Sequence, residues 1–193
     1  MKRLLKTKYT IAFVASLAVL ITLQNCERDD ICAETTATTP RLLIEFYDAA
    51  SRDDLKNVPR LTLYGETLVT DPIVASDATL VFNTNENSAE LPLKIEPEQG
   101  ESTTVTRFVL EKDTNRRLDD NDATESNIDI IEIIYTSEYI YVSRGCGYKS
   151  IFNDLDVDLD PIDVDTWISS IEVIETIETT VENENTIHVR IFH

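Results

Sequence analysis

Hydrophobic and polar residues alternate along most of the chain after residue 40, which is the pattern of strands with one buried face. In the stretch 41–47 every second residue, beginning with Leu42, is large and apolar. Similar stretches recur at short intervals, with turn-forming residues between them. We expect strands over 41–47, 58–64, 79–82, 90–95, 103–110, 128–135, 139–144, 149–159, 167–180 and 186–192.

The polar stretches between these strands predict the turns. The asparagine-rich segment 83–87 and the acidic segment 113–127 are expected to be loops, and 136–138 to be a hairpin turn. The stretch 182–185 would close a second hairpin, in which β-branched residues favour strands. A helix is the alternative there, because four isoleucines fall at helical spacing, namely Ile168, Ile171, Ile174 and Ile177.

This count of short strands predicts an all-β domain over residues 40–193. Its expected form is an antiparallel β-sandwich with an immunoglobulin-like layout. Residues 26–39 are expected to form a linker, since 33–40 are small and polar. The cysteines do not follow the spacing of an antibody domain, because Cys32 precedes the first strand.

Residues 1–25 have the three parts of an export signal. Four cations near the start precede an uncharged apolar run from Ile11 to Leu23, which is shorter than the roughly 20 residues of a membrane-spanning helix. The segment Leu23-Gln24-Asn25-Cys26 resembles a bacterial lipobox, with asparagine where a small residue usually stands. We therefore expect a lipoprotein signal peptide and acyl chains on Cys26; an ordinary signal with a chance cysteine is the alternative.

Three acids follow this cysteine at Glu27, Asp29 and Asp30. The cluster resembles the signal with which Bacteroidota send lipoproteins to the outer leaflet of the outer membrane. The alternative is a solvated segment in a very acidic protein.

The charge balance excludes one class of partner. The chain has 36 acids against 17 cations, a net charge of −19, which becomes −23 when the residues before Cys26 are removed. Such a surface repels phosphates, so no nucleic acid partner is expected. A basic protein or divalent cations fit better, although the acids could simply keep an exported domain soluble.

The cysteines predict a disulfide by elimination. If Cys26 carries lipid, Cys32 and Cys146 are the two that remain in an oxidising compartment. A free catalytic or metal-binding thiol is the alternative. Glycines flank Cys146 on both sides, and we expect a bulge or tight turn that aims it at Cys32.

The stretch 154–160 alternates aspartate with leucine or valine, which places the carboxylates on one face of a strand. Asp154, Asp156 and Asp158 match the opening of an EF-hand loop, but Leu159 stands where its glycine is required. A looser Ca²⁺ site on these residues or on Asp119, Asp120 and Asp122 therefore competes with a solvated strand edge that discourages aggregation.

No enzyme is expected. The two histidines, His188 and His193, accompany no nucleophile motif, and no zinc-ligand spacing occurs. Tyr135, Tyr139, Tyr141 and Tyr148 could form a ligand or partner surface, or could pack on the sheet.

Four segments together resemble a family of Bacteroidota, chiefly flavobacterial, lipoproteins that is a domain of unknown function. They are 26–32, 39–48, 141–149 and 187–192, of which the paired-cysteine opening and Val142-Ser143-Arg144 before Cys146-Gly147 are the most specific. The resemblance implies an outer-membrane location and the Cys32–Cys146 pair, and it implies no activity. Family members tend to be encoded beside an outer-membrane β-barrel protein, which implies a barrel partner.

The expected function is that of a non-enzymatic outer-membrane lipoprotein, held by Cys26 in the periplasmic or surface-exposed leaflet. It would serve as an accessory or assembly partner of an envelope protein. The alternative is a cell-surface module that binds Ca²⁺ or a glycan through the aspartates or the tyrosines.

Overall fold

The computed structural model describes residues 32, 36, 38–95, 103–119, 121, 124–174 and 179–193. The chain divides into two compact units. One comprises Met1–Thr36 and Val142–Gly147, and the other comprises Ala37–Tyr141 and Tyr148–His193. No helix among the described residues has the length and hydrophobicity to cross a membrane.

Nine strands and one short helix are described. They are β1 Leu42–Tyr47, β2 Val58–Gly65, β3 Thr79–Glu86, β4 Ser88–Leu91, β5 Thr104–Lys112, α1 Thr114–Arg117, β6 Asn127–Ser143, β7 Gly147–Leu159, β8 Ser170–Val173 and β9 Val189–Phe192. The all-β class expected from the alternating pattern is confirmed.

The strands form two sheets. The four-stranded sheet has the order β4-β1-β9-β8, in which β1 and β9 run parallel and the other pairs run antiparallel. The five-stranded sheet has the order β3-β2-β5-β6-β7, with antiparallel pairing from β3 through to β6. Four and five strands are also the division of a variable-type immunoglobulin sandwich.

Both sheets contribute to one hydrophobic core, as expected for a sandwich. In β1 every second residue is buried, beginning with Leu42, as the alternation predicted. The fully buried large side chains come from both sheets and include Phe46, Leu91 and Phe192 on one, and Leu63, Leu110, Ile131, Ile133, Tyr135 and Phe152 on the other.

The hairpin expected across residues 136–138 is wrong. β6 runs without a break from Asn127 to Ser143, and the chain reverses over residues 144–146 instead. Thr136, Ser137 and Glu138 continue the alternation of the strand, with Ser137 buried and Glu138 exposed. The reversal ends at Gly147, whose φ of 71° suits glycine.

The loop expected over 83–87 is also wrong for most of its length. β3 continues to Glu86, and only Asn87 separates it from β4. Irregular register against β2 accommodates the asparagines, and Asn83 adopts a positive φ of 52°. Asparagine tolerates this left-handed conformation, so the strand bends there without ending.

The antiparallel pairing of the last two strands is confirmed, because β8 pairs with β9. The tight turn expected at 182–185 is wrong, because β8 ends at Val173, β9 begins at Val189, and Val181 between them bridges to Phe152. The helical alternative fails over residues 170–173, which are a strand; Ile177 lies outside the described residues. Within the expected loop 113–127 the chain forms the single helical turn α1.

Candidate functional site

The structure joins Cys32 to Cys146 in a disulfide. The two Cα atoms are 4.7 Å apart, and the bond links residues separated by 114 positions. Cys146 lies in the connection between β6 and β7, where its backbone N–H donates to Ser143 Oγ at 3.1 Å. The expected tight turn at this cysteine is therefore present. Cys26, Glu27, Asp29 and Asp30 lie outside the described residues.

The tyrosines serve two different purposes. Tyr135 is fully buried and its hydroxyl donates to Lys94 O at 2.8 Å, while its ring packs edge-on against Phe152. Tyr141 and Tyr148 are 57% and 68% exposed, and their ring centroids are 5.4 Å apart. One tyrosine is thus a core residue, and these two form an exposed aromatic pair on neighbouring strands.

The aspartates of β7 follow the predicted alternation. Asp154, Asp156 and Asp158 are exposed, whereas Leu155 and Val157 are buried. Among the residues that the structure describes, no group of three or more potential ligands is placed to hold a metal ion.

Asp154 and two other aspartates, Asp160 and Asp119, contact hydrogen-bond donors or a cation. Thr136 Oγ1 donates to Asp154 Oδ2 at 3.1 Å. Asp160 forms an ion pair with Arg107, whose guanidinium also lies 3.4 Å from Glu66 and 3.7 Å from Glu132. Asp119 accepts the hydroxyl of Thr124, and Asp120 and Asp122 lie outside the described residues.

Both histidines make contacts in the body of the sandwich. His188 is buried and its Nδ1 accepts a hydrogen bond from the Leu43 N–H at 2.9 Å, so its ring serves the backbone of β1. Burial lowers the pKa of His188 and also that of His193. His193 packs edge-on against Trp167, with ring centroids 5.4 Å apart. Each ring is therefore held neutral near pH 7.

Two buried carboxylates were not predicted. Asp129 lies on the inner face of β6 and accepts the N–H groups of Trp167 at 3.2 Å and Ile168 at 2.8 Å. Burial raises the pKa of Asp129 to about 6, although the two amide donors lower it in part. The alternating pattern could have indicated the burial of Asp129, because this residue lies on the same side of β6 as the buried Ile131.

The second buried carboxylate is Glu111, which Arg117 contacts with two nitrogens at 2.6 and 2.8 Å. Ser126 donates to the same carboxylate at 2.5 Å, and Arg117 also donates to Pro72 O at 2.9 Å. The hydrogen bonds to Glu111 raise the pKa of Arg117. This cluster ties α1 and the β2–β3 connection to the sheet, and it is structural.

A cleft of about 1210 Å³ lies between the β6–β7 pair and the segment before β9. Its wall combines apolar and polar side chains. They are contributed by Glu138, Ile140, Ile151, Asn153, Asp154 and Leu155 on one side and by Ile174, Thr179, Thr180, Glu182, Asn183, Thr186, Ile187 and His188 on the other. Amides, hydroxyls and carboxylates beside apolar carbon suit a polar organic ligand.

The fold and these contacts define a β-sandwich domain with a disulfide-bonded connection between its two longest strands. The family described as "Family of unknown function (DUF6452)" matches residues 60–193, and the chain belongs to it. Comparison with curated proteins and with solved structures gave no match.

Proposed function

We propose that the protein is a non-enzymatic lipoprotein of the outer membrane that serves as an accessory or assembly partner of another envelope protein. Acyl chains on Cys26 anchor it, in either the periplasmic or the surface-exposed leaflet. The partner that the sequence resemblance favours is an outer-membrane β-barrel protein.

The disulfide is the observation that carries this proposal. Disulfides persist in exported proteins and are rare in reducing compartments. Its partners, Cys32 and Cys146, leave Cys26 as the remaining cysteine of the chain, at the end of an export-like signal. A remaining cysteine in that position is accounted for by acylation.

A binding function fits the described side chains better than a catalytic one. The buried acids and both histidines have structural partners, as shown by the contacts of Asp129, Glu111 and His188. The exposed pair of Tyr141 and Tyr148 has the character of a contact surface, because tyrosine is enriched at interfaces.

The anchor is tested first. Cells fed an alkyne-bearing fatty acid should label the wild-type protein in the membrane fraction. Cys26→Ala should remain unlabelled, whereas Cys146→Ser should still be labelled. Label on Cys26→Ala, or an unlabelled wild-type protein, would contradict the anchor.

The partner is tested at native expression. Membranes are solubilised in mild detergent, and the tagged lipoprotein is purified and compared with Cys26→Ala. We expect a membrane protein in stoichiometric amount with the wild type alone. Recovery of the lipoprotein by itself would count against the accessory role.

The leaflet is tested by treating intact cells with protease. Substitution of Glu27, Asp29 and Asp30 by alanine should abolish digestion if these acids direct surface export. Asp154→Ala, Asp156→Ala and Asp158→Ala together remove the same number of acids elsewhere and serve as the control. Equal digestion of both variants would refute the export role.

The cleft supports a second candidate, a module that binds a glycan. Its polar wall offers the amides of Asn153 and Asn183 and the hydroxyl of Thr180 beside Ile140 and Ile151. Binding of an envelope oligosaccharide, measured by calorimetry, should be lost in Asn183→Leu. Unchanged binding in that variant would exclude this cleft. A Ca²⁺-binding version predicts a lower melting temperature in chelator.

A further inference from the structure

We propose that the end of the β6–β7 arm rests on the membrane, with Tyr141 and Tyr148 seated in the lipid headgroup region. The arm is defined as residues 136–150, the part of β6 and β7 that lies beyond the described pairing of β5 with β6. That pairing ends at Thr104 and Tyr135. The inference rests on the proposed lipid anchor at Cys26.

The covalent chain limits how far this end can be from the lipid. Cys32 is six positions after Cys26, and a fully extended chain of that length spans at most about 22 Å. The disulfide then adds 4.7 Å between Cα atoms to reach Cys146. Tyr148 is only two residues further along, which adds at most about 7 Å.

The disulfide shortens the greatest distance that the chain allows between the lipid on Cys26 and the arm. Without it, the first described contact of the preceding segment with β7 is the hydrogen bond from the Ser150 N–H to Thr39 Oγ1, at 3.0 Å. Thr39 is thirteen positions after Cys26, a reach of at most about 47 Å. The disulfide therefore lowers the greatest distance that the chain allows between Cys26 and the arm.

The exposed aromatic pair has the chemistry of this environment. On β6, Tyr141 continues the alternate positions that are buried in the body, such as Ile133 and Tyr135, yet it is exposed. Tyrosine rings combine an apolar body with a polar hydroxyl and are enriched where a membrane meets water. Tyr148 supplies a second such ring within 5.4 Å.

The distribution of charge along the sequence also favours contact between the end of the arm and the membrane. Residues 139–153 contain Arg144 and Lys149 and no acid, and they are the longest acid-free stretch after residue 26. The rest of the chain is strongly acidic and is repelled by anionic headgroups. Apart from the acids of the tether at Glu27, Asp29 and Asp30, this stretch is therefore the part of the sequence that an anionic surface repels least.

The test places a tryptophan at the end of the arm. Tyr148→Trp is introduced into the full lipidated chain, which is reconstituted in phosphatidylcholine–phosphatidylglycerol vesicles with or without brominated acyl chains. The control is Val164→Trp, because Val164 is 98% exposed and follows the opposite end of β7, roughly 35 Å away. Emission of the native Trp167, measured in the wild-type protein, is subtracted from both.

We expect brominated lipid to remove about half of the emission at position 148 and little at position 164, since a ring at the headgroup boundary lies within reach of the acyl chains. Reconstituted, lipidated protein without quenching at position 148 would overturn the inference and leave the anchor intact. Protein that carries no lipid and does not bind vesicles would overturn the anchor, and with it the inference.

Further experiments test the role of the disulfide and the possibility that another protein molecule, not the membrane, covers the two tyrosines. Cys32→Ser with Cys146→Ser should weaken quenching at position 148; equal quenching would overturn the role of the disulfide. A concentration-dependent blue shift of position 148 in Cys26→Ala without lipid would identify a second copy as the occupant. Quenching that requires a co-purified protein would identify that protein, and either result would overturn direct membrane contact.

Discussion

Asp129 should make the protein more stable in mild acid than at neutral pH, which is the opposite of the ordinary effect of a carboxylate. The side chain is 0% exposed and accepts hydrogen bonds from Trp167 and Ile168. Burial raises its pKa to about 6, and the nearby carboxylates of Asp163 and Asp165 raise it further against the two amide donors. At neutral pH the folded protein therefore holds a buried negative charge.

The size of the effect follows from proton linkage. The pKa is raised in the folded state, so the folded protein keeps a proton that the unfolded chain releases between about pH 4 and 6, and stability falls as pH rises through that window. The rise from 3.8 to about 6 corresponds to about 3 kcal/mol in all. About 2 kcal/mol of this lies between pH 7.5 and pH 4.5.

The assay is urea unfolding, followed by Trp167 fluorescence, of the wild type and Asp129→Asn at both pH values. Other carboxylates also titrate, and the net charge of −19 becomes smaller in acid, but these effects are common to both proteins. At the lower pH the unfolding free energy of the wild type should rise by about 2 kcal/mol relative to that of Asp129→Asn. Asp156→Asn, at an exposed position on β7, should show no such shift.

The reasoning would be refuted if the difference in unfolding free energy between the wild type and Asp129→Asn changed by less than about 0.5 kcal/mol between the two pH values. It would also be refuted if the variant became more stable relative to the wild type in acid. Either result would mean that the folded protein does not hold a proton on Asp129 above the pKa of the unfolded chain.

The remaining predictions concern a buried ion pair, a buried histidine and the disulfide. Arg117→Ala leaves Glu111 as an unpaired buried charge and should cost roughly 3–5 kcal/mol in urea unfolding at neutral pH, and a cost below about 1 kcal/mol would contradict this. His188→Leu removes the acceptor for the Leu43 N–H and should cost roughly 1–3 kcal/mol, more than His188→Asn, which retains an acceptor; the reverse order would be inconsistent with the contact. Because burial lowers the pKa of His188, its contribution is present above about pH 6.5 and is lost as pH falls through the folded-state pKa, which a pH series on His188→Asn checks. Reduction of the disulfide at Cys32 should lower the unfolding free energy by about 5 kcal/mol in the chain-entropy account for a separation of 114 residues, and an unchanged unfolding midpoint in reductant would contradict it.

The alternation of apolar and polar residues was enough to predict most strands and their buried faces. It succeeded for β1 and for the aspartate run of β7, because each strand has one face in the core and one in water. The signal was weaker for the ends of strands. β4, β8 and β9 are only four residues long, which is the shortest length over which alternation can indicate a strand.

The two errors in turn prediction share a cause. Residues 136–138 and 83–87 are polar, and polar clusters between apolar stretches often mark turns. In β6, however, threonine and serine fit a pleated strand, and no glycine or proline interrupts it. In β3, Asn83 takes a positive φ within the strand. Polarity alone does not distinguish an exposed or bulged strand position from a reversal.

The candidate site was only partly visible in the sequence. The pairing of Cys32 with Cys146 was predicted because few cysteines remained to pair. The Glu111–Arg117 contact was not, because it depends on α1 and on a backbone carbonyl at Pro72, both brought near by tertiary structure. The exposed tyrosine pair was included among the candidates but could not be separated from Tyr135, which has the same residue type and a buried environment.

The continuity of β6 changes the meaning of the disulfide. A reversal at 136–138 would have placed Cys146 after a second short hairpin, within the paired body of the sheet. Instead β6 continues for eight residues beyond Tyr135, a length of about 27 Å, before the chain turns at Cys146. The disulfide therefore joins Cys32 to the turn that follows β6, and residues 139–153 around that turn contain no acid. If Cys26 carries the proposed acyl chains, an attachment at that point would bring the exposed pair of Tyr141 and Tyr148 toward the membrane.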